Sequence, residues 1–190
     1  LVIYDGNADL DKEAVLHKTN GKYTPEIWAG DFPERALDSL DLVVLSPGVP
    51  TDLPLVKSFY EKGLPVWSEV ELAYRTGKGE VLAITGTNGK TTTTALLGKI
   101  MGDARESVFV VGNIGTAYTS KSLEMREDSV TVAEISSFQL ETIENFHPKV
   151  SAILNITPDH LNRHHTMQCY IETKEKIAEN RSEEHTSELQ

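Results

Sequence analysis

The sequence predicts an α/β fold, a partial Rossmann-like N-terminal domain followed by a P-loop-type domain built on a parallel sheet. Three observations predict it. Short apolar runs alternate with helix-like stretches, the pattern of parallel strands joined by crossover helices. Each apolar run ends in polar or glycine-rich residues, and in an open α/β sheet that edge holds the ligand. One such end, Val81-Leu82-Ala83-Ile84-Thr85-Gly86-Thr87-Asn88-Gly89-Lys90-Thr91-Thr92, reads as strand, glycine loop and helix.

The elements follow in order. Leu1–Tyr4 is a strand ending in Asp5-Gly6, and Glu26–Ala29 is a short second strand. Pro33–Leu40 is helix-like. Asp41–Leu45 is a strand running into Ser46-Pro47-Gly48-Val49-Pro50. Leu53–Lys62 is a helix closed by Gly63, and Pro65–Trp67 is the next strand. Ser68 caps a helix with acids in its first turn, Glu69 and Glu71. The polar, glycine-rich Arg75-Thr76-Gly77-Lys78-Gly79 is the expected domain boundary. This gives residues 1–74 as a first, partial domain, 75–79 as linker and 80–180 as the central, incomplete domain. Strands at Ser107–Val111, Ser129–Ile135 and Val150–Ile156 follow the glycine loop, and Met167–Asn180 is the last helix.

The glycine loop carries the first chemistry. Backbone N–H groups in such a loop point inward at an anion, and the following helix adds its positive end. Gly86, Thr87, Asn88, Gly89, Lys90, Thr91 and Thr92 are the candidate triphosphate-binding residues. Lys90 can reach the outer phosphates and the Thr91 hydroxyl can ligate Mg²⁺. The loop is shorter than the Gly-x-x-x-x-Gly-Lys pattern, because Ile84 stands five before Gly89. Thr91–Thr94 are poor helix formers, so their place at a helix start points to capping, phosphate or metal contact.

Composition limits the alternatives. A net charge of −11 excludes the basic face of a nucleic-acid binder. Cys169 is the only cysteine, which rules out an internal disulfide and fits a reducing compartment. No apolar run approaches membrane-spanning length. Residue 1 lies in a strand already under way, and Arg181–Gln190 reads as one translated frame of a sequencing adapter, so both ends read as cut. The tail holds three Glu and one Arg, and the net charge without it is −9.

The other strand ends offer metal chemistry. Mg²⁺ takes oxygen ligands and keeps water and phosphate in its shell. Thr91 and Glu134 can supply one such site, Glu134 lying near the end of an apolar strand. Capping of the next helix is the other reading of Glu134. Asp159 and His160 follow another strand, but His164 and His165 lie close by, and spacing alone does not single out His160.

Four ordered motifs carry a resemblance: Gly86-Thr-Asn-Gly-Lys-Thr-Thr92, Gly112-Asn-Ile-Gly115, Glu134-Ile-Ser-Ser-Phe-Gln-Leu-Glu141 and Asn155-Ile-Thr-Pro-Asp-His-Leu-Asn162. Together they resemble the Mur ligases, the ATP-dependent amide ligases of peptidoglycan synthesis, over nearly all of residues 1–180. The shortened glycine loop is that family's form of the motif. The Ser-Ser-Phe-Gln-Leu-Glu run, with the Ser46–Pro50 loop, resembles most closely the D-glutamate-adding member. The resemblance implies a cytoplasmic, monomeric enzyme. Its substrates would be ATP, UDP-N-acetylmuramoyl-L-alanine and D-glutamate, with no nucleic acid and no membrane. An acyl phosphate would be the intermediate.

The resemblance also assigns residues. It implies catalytic roles for Lys90, Glu134, His160 and Lys174. One Mg²⁺ would be held by Thr91 and Glu134, and a second by His160 and by Lys174 carbamylated with CO₂. Lys174 read alone is an ordinary helix lysine with Lys176 as a near decoy. Ser46, Pro47 and Gly48 resemble the loop that receives the UDP-sugar diphosphate, although Pro-Gly makes a strand-exit turn in any case. Asn113, Ser136 and Gln139 resemble positions lining the muramoyl end, and Asp5 and Gly6 are expected to border the uracil. Asn162 departs from the family's common Asp and is expected to tune orientation. Asn155-Ile156-Thr157 matches a glycosylation acceptor by coincidence. The family's first N-terminal strand and its C-terminal domain are not in the sequence. The piece is therefore expected to be inactive by itself, with a poorly ordered N-terminal sheet. Two alternatives stand: another ligase of the superfamily, whether a different Mur ligase or a folylpolyglutamate synthase-like enzyme, or a nucleotide-binding module without catalysis.

Overall fold

The computed structural model describes residues 1–19, 21–113 and 115–180. The adapter-like tail and Ile114 of the Gly112–Gly115 motif lie outside the described residues. In chain order the elements are β1 (Val2–Asp5), α1 (Lys12–Lys18), β2 (Glu26–Ala29), a 3-10 turn (Glu34–Ser39), β3 (Val43–Leu45), α2 (Pro54–Glu61), β4 (Val66–Ser68), α3 (Glu69–Thr76) and β5 (Glu80–Thr85). Then come α4 (Lys90–Ala104), β6 (Val108–Gly112), α5 (Thr119–Ser122), β7 (Val130–Glu134), α6 (Ser137–Leu140), β8 (Val150–Ile153), α7 (Leu161–His164), α8 (Met167–Glu175) and a closing 3-10 turn (Lys176–Ala178).

Most expected elements are present, and the differences are in helices, the short α5 and α7 being unexpected. Helix α1 was not expected; it buries no residue, so it has no apolar stripe to read. Its signal is local: the Asp11 side chain accepts from Ala14 N–H, with Glu13 in the first turn and His17 and Lys18 in the last. The helix-like 33–40 stretch winds as a 3-10 turn. The expected last helix stops at Glu175 and tightens into 3-10 geometry at Lys176–Ala178.

Packing divides the chain into two compact units, Leu1–Asp41 with Leu53–Pro65, and Leu42–Asp52 with the chain from Val66 on. In the first, β1 pairs parallel with β2 from Val2↔Glu26 to Asp5↔Ala29. Phe32 meets Tyr4, Trp28 and Phe59 edge-on, with centroids 5.2, 5.6 and 5.7 Å away. Such contacts add to the area these rings bury.

In the second unit β3 pairs parallel with β4, and a separate four-stranded sheet has the order β6-β7-β5-β8. All its pairings are parallel. Strand β7 is buried along its whole length, as expected for a parallel strand covered on both faces. Val81, Ala83, Val111, Ala133 and Ile135 supply the centre of the core, with Tyr118 and Phe146 against them. Because every strand runs the same way, the carboxyl ends of β5, β6, β7 and β8 lie along one edge. No helix among the described residues is long and apolar enough to cross a membrane.

The sequence boundary at 75–79 and the packing boundary differ because α3 packs with the central sheet, through Val70, Ala73 and one buried acid. Glu71, on α3, is fully buried. Its carboxylate accepts the N–H groups of Glu144, Asn145 and Phe146 at 2.9 Å each. Arg75 Nε donates to it at 2.6 Å. Helix α3 therefore belongs with the central sheet. The Glu71→Ala variant leaves three N–H groups, that of Phe146 buried, without their acceptor and takes one of two carboxylate partners from Arg75. It is expected to lower the unfolding free energy by about 3–5 kcal/mol. Urea denaturation of the full-length protein checks this; a loss below about 1 kcal/mol would show the carboxylate to be dispensable.

Candidate functional site

The site is built outward from the end of β5. Helix α4 is fifteen residues long and opens at Gly89, whose φ of 83° suits glycine and which has no side chain to cap the helix. The first N–H groups of α4 therefore face outward without a capping side chain, as an anion site requires. Thr91 and Thr92 are exposed at that end. The helix buries Thr94 and Gly98, while Leu96 and Ile100 stay largely exposed. Gly98 is small because Val110 of β6 lies directly beneath it.

The loop is held in shape by the strand next door. Asn155, just after β8, takes Asn88 N–H on Oδ1 at 2.9 Å and donates from Nδ2 to the Asn88 carbonyl at 3.0 Å. Its own carbonyl accepts Thr87 N–H at 2.9 Å. The Thr87 hydroxyl lies 3.2 Å from the Thr157 carbonyl and 3.2 Å from Tyr170 Oη. So the 86–92 loop is a preformed shape. Asn155 and Tyr170, which sequence reasoning did not single out as site residues, form it. The paired backbone and side-chain amides of Asn155 were legible only as part of a motif.

Two lysines meet at this loop. Lys90 Nζ bends back and donates to the carbonyls of Gly86 and Thr87, 2.9 Å each. Lys174 Nζ, from α8, donates to the same Gly86 carbonyl at 2.9 Å and to Thr85 Oγ1 at 3.3 Å. Lys174 is almost wholly buried, at 1% exposure. Burial first, and the nearby Lys90 cation second, pull its pKa down to about 8, against a smaller opposing effect of Asp159. Its sequence decoy Lys176 is turned elsewhere, donating to the Glu141 carbonyl at 3.2 Å.

Glu134 ends β7, level with Ile84 of β5 and Gly112 of β6. It is buried at 2% exposure. Oε1 accepts from Asn113 Nδ2 at 2.9 Å, while Oε2 has no hydrogen-bond partner. Asn113 N–H also binds the Glu134 carbonyl at 2.8 Å. Gly112 makes that approach possible, since its φ is 105° and a Cβ there would overlap the Glu134 carbonyl. A buried carboxylate oxygen without a donor is costly, and a hard cation would satisfy it. The Glu134 carboxylate thus suits Mg²⁺, which takes oxygen ligands. No group of three His, Cys, Asp or Glu able to hold a metal occurs among the described residues. The fit is to an ion that completes its shell with hydroxyl, water and phosphate oxygens. Lys174 as an ammonium cannot ligate a cation.

The remaining candidates divide. His160 adopts φ 52°, uncommon for a non-glycine residue. Its side chain is half-exposed, 3.5 Å from Asp159 and against the Phe138 ring at 5.0 Å. His164 is the buried histidine: it bonds Ser137 Oγ at 3.0 Å and stacks on Phe138. Burial dominates in lowering its pKa, which keeps it neutral. Ser136 and Gln139 serve each other in a capping box at the start of α6. Ser46, Pro47 and Gly48 form the turn after β3, with Val49 N–H on the Ser46 carbonyl at 2.9 Å. The arrangement can therefore bind an anion at the α4 end and a cation at Glu134. Other polar loops flank both.

Residues 84–187 match the family model described as the Mur ligase middle domain. The chain is 59% identical over 188 residues to the UDP-N-acetylmuramoylalanine–D-glutamate ligase of Lachnospira eligens, covering 99% of this chain and 42% of that protein. The protein of the same name from Lachnoclostridium phytofermentans is 56% identical over 185 residues, 97% of this chain and 41% of that one. The chain thus spans about two-fifths of the length of the curated relatives it matches. Among solved structures, the UDP-N-acetylmuramate:L-alanyl-gamma-D-glutamyl-meso-diaminopimelate ligase from Neisseria meningitides has the same fold. It superposes with a TM-score of 0.50 at 15% identity, covering 94% of this chain and 60% of that one. With a middle-domain match over more than half its length, laid on the loop, strand ends and sheet order just described, the chain belongs to the Mur ligase family.

Proposed function

We propose that this chain is the sugar-nucleotide-contacting and ATP-binding part of a D-glutamate-adding, MurD-type ligase. The whole enzyme would join D-glutamate to UDP-N-acetylmuramoyl-L-alanine in the cytoplasm, acting as a monomer on soluble substrates. The observation that carries this reading is the meeting of Lys90 and Lys174 on one carbonyl. Beside them are the uncapped end of α4 and the unpartnered oxygen of Glu134. The names of the relatives and the Ser136–Glu141 run support D-glutamate as acceptor.

The chemical difficulty is that the substrate carboxylate and the γ-phosphate are both anions. Lys90 would leave the loop carbonyls for the outer phosphate oxygens, and the first N–H groups of α4 would hold the β-phosphate. The carboxylate oxygen then bonds γ-phosphorus as the bond to ADP breaks. The D-glutamate nitrogen next bonds the acyl carbon, and phosphate leaves as the amine gives up a proton. Thr91 and Glu134 would hold one Mg²⁺, and His160 with carbamylated Lys174 a second; such ions neutralise phosphate charge and align the oxygens. Asn113, Ser136 and Gln139 would line the muramoyl end, and Ser46-Pro47-Gly48 would take the diphosphate.

Carbamylation suits Lys174. The neutral amine must attack CO₂, forming an N–C bond and releasing a proton. A pKa near 8 leaves an appreciable neutral fraction at neutral pH. The product is an anion beside Lys90, replacing repulsion by attraction.

Three outcomes are expected in the full-length protein. Phosphate release from ATP requires both UDP-N-acetylmuramoyl-L-alanine and D-glutamate; release with lysine or meso-diaminopimelate instead rejects the acceptor. ATP binding without acceptor-dependent turnover favours the non-catalytic module. Lys174→Ala lowers kcat about 100-fold or more and is partly restored by short carboxylic acids, whereas normal turnover ends the carbamate role. Lys174 also sets a pH dependence. In CO₂-free buffer the unfolded chain keeps that proton up to about 10.5 and the folded chain only to about 8. Stability from this group therefore rises with pH across that window. Lys174→Met should flatten the rise in urea midpoints; an unchanged slope contradicts the shift.

A further inference from the structure

Glu141 and Arg163 have no role in the scheme above, yet they are joined by a fork. Arg163 Nε donates to Glu141 Oε1 at 3.0 Å and Nη2 donates to Oε2 at 2.6 Å. Their side chains are only 13% and 11% exposed. Exposed ion pairs contribute little, but a nearly buried, two-point pair fixes geometry. Arg163 Nη2 also donates to the Val49 carbonyl at 2.8 Å, and Thr51 Oγ1 donates to Glu141 Oε2 at 3.3 Å. The pair therefore grips the segment that follows Ser46-Pro47-Gly48.

On its other side the pair is anchored in the His160 turn, to which Arg163 itself belongs. Arg163 N–H bonds the His160 carbonyl at 2.9 Å. The guanidinium lies 5.1 Å over the Phe138 ring, which also carries His160. Helix α7 is only four residues long and is bracketed by His160 and His165, both at positive φ. So short a helix does not hold itself together, and its strained ends persist only when neighbours fix them. Arg163 supplies that fixing.

The geometry points to Arg163 as a positioning residue that ties the Ser46–Pro50 loop to the His160 turn. It thereby sets the separation between the subsite for the substrate's diphosphate and the point where its carboxylate reacts. It touches no reacting atom. The inference rests on the proposed reading of Ser46-Pro47-Gly48 as the diphosphate loop.

The test uses the full-length protein with Arg163→Lys, which keeps the charge and loses the fork. A second variant, Glu141→Gln with Arg163→Met, removes both charges together and leaves no lone buried ion. Expected is a tenfold or larger rise in KM for UDP-N-acetylmuramoyl-L-alanine, larger in the double variant, with KM for ATP within twofold of wild type. Hydrogen exchange at residues 48–52 should quicken at least tenfold while that of β5 and residues 86–92 holds. Equal changes in both KM values, or an unchanged KM for the sugar nucleotide, overturn the positioning role. If the wild-type protein uses no UDP-sugar, the functional reading has failed, and the exchange experiment still decides the link between loop and turn. Quickened exchange at 48–52 supports it, and unchanged exchange overturns it.

Discussion

One carbonyl oxygen, that of Gly86, takes hydrogen bonds from two ammonium groups that reach it from different helices. Like charges so close repel, and the repulsion is strongest where water is thin. Burial and the neighbouring cation act in the same direction on Lys174, which is why its proton is held less firmly than an ordinary lysine's. A polyanion bound at the start of α4, or a negative group placed on Lys174, would turn this local conflict into attraction. The rest of the second unit is arranged around the conflict. The sheet order brings β7 and β8 to either side of β5; the end of β7 supplies Glu134 and the loop after β8 supplies Asn155.

The strand–loop–helix at 81–104 was legible because its signals are local: an apolar run, two glycines and a lysine in sequence. Glu134 could be placed for a similar reason, as an acid at the end of an apolar strand. Helix α1 was invisible to periodicity because none of its side chains is buried. The assignment of α3 to the central unit could not be read either. It depends on Glu71 meeting N–H groups seventy-three to seventy-five positions away. Composition at 75–79 marks a change of chain character, whereas packing follows where a buried acid finds its donors.

The candidate site divides in the same way. Lys90 and Lys174 could be named, but their common acceptor could not, because it needs the β5 tip and α8 in one place. Ser136 and Gln139 show the reverse. Their sequence pattern is satisfied by a capping box, so a substrate role must coexist with, or borrow from, a structural one. Histidine spacing left three candidates open, and burial sets one apart: His164 is packed and neutral, while His160 and His165 both stay exposed at positive φ.

A net charge of −11 looks ill-suited to a phosphate site, but the scale of the interactions resolves it. Surface charges are screened over roughly 10 Å at ordinary ionic strength, so their repulsion fades near the protein. Lys90, Lys174 and the α4 N–H groups act at contact distance in a partly dry setting, where screening is weak. The fold therefore needs no basic face to receive an anion. It needs donors at contact distance, and the clamp of Asn155 on the loop together with the burial of Lys174 holds those donors in place.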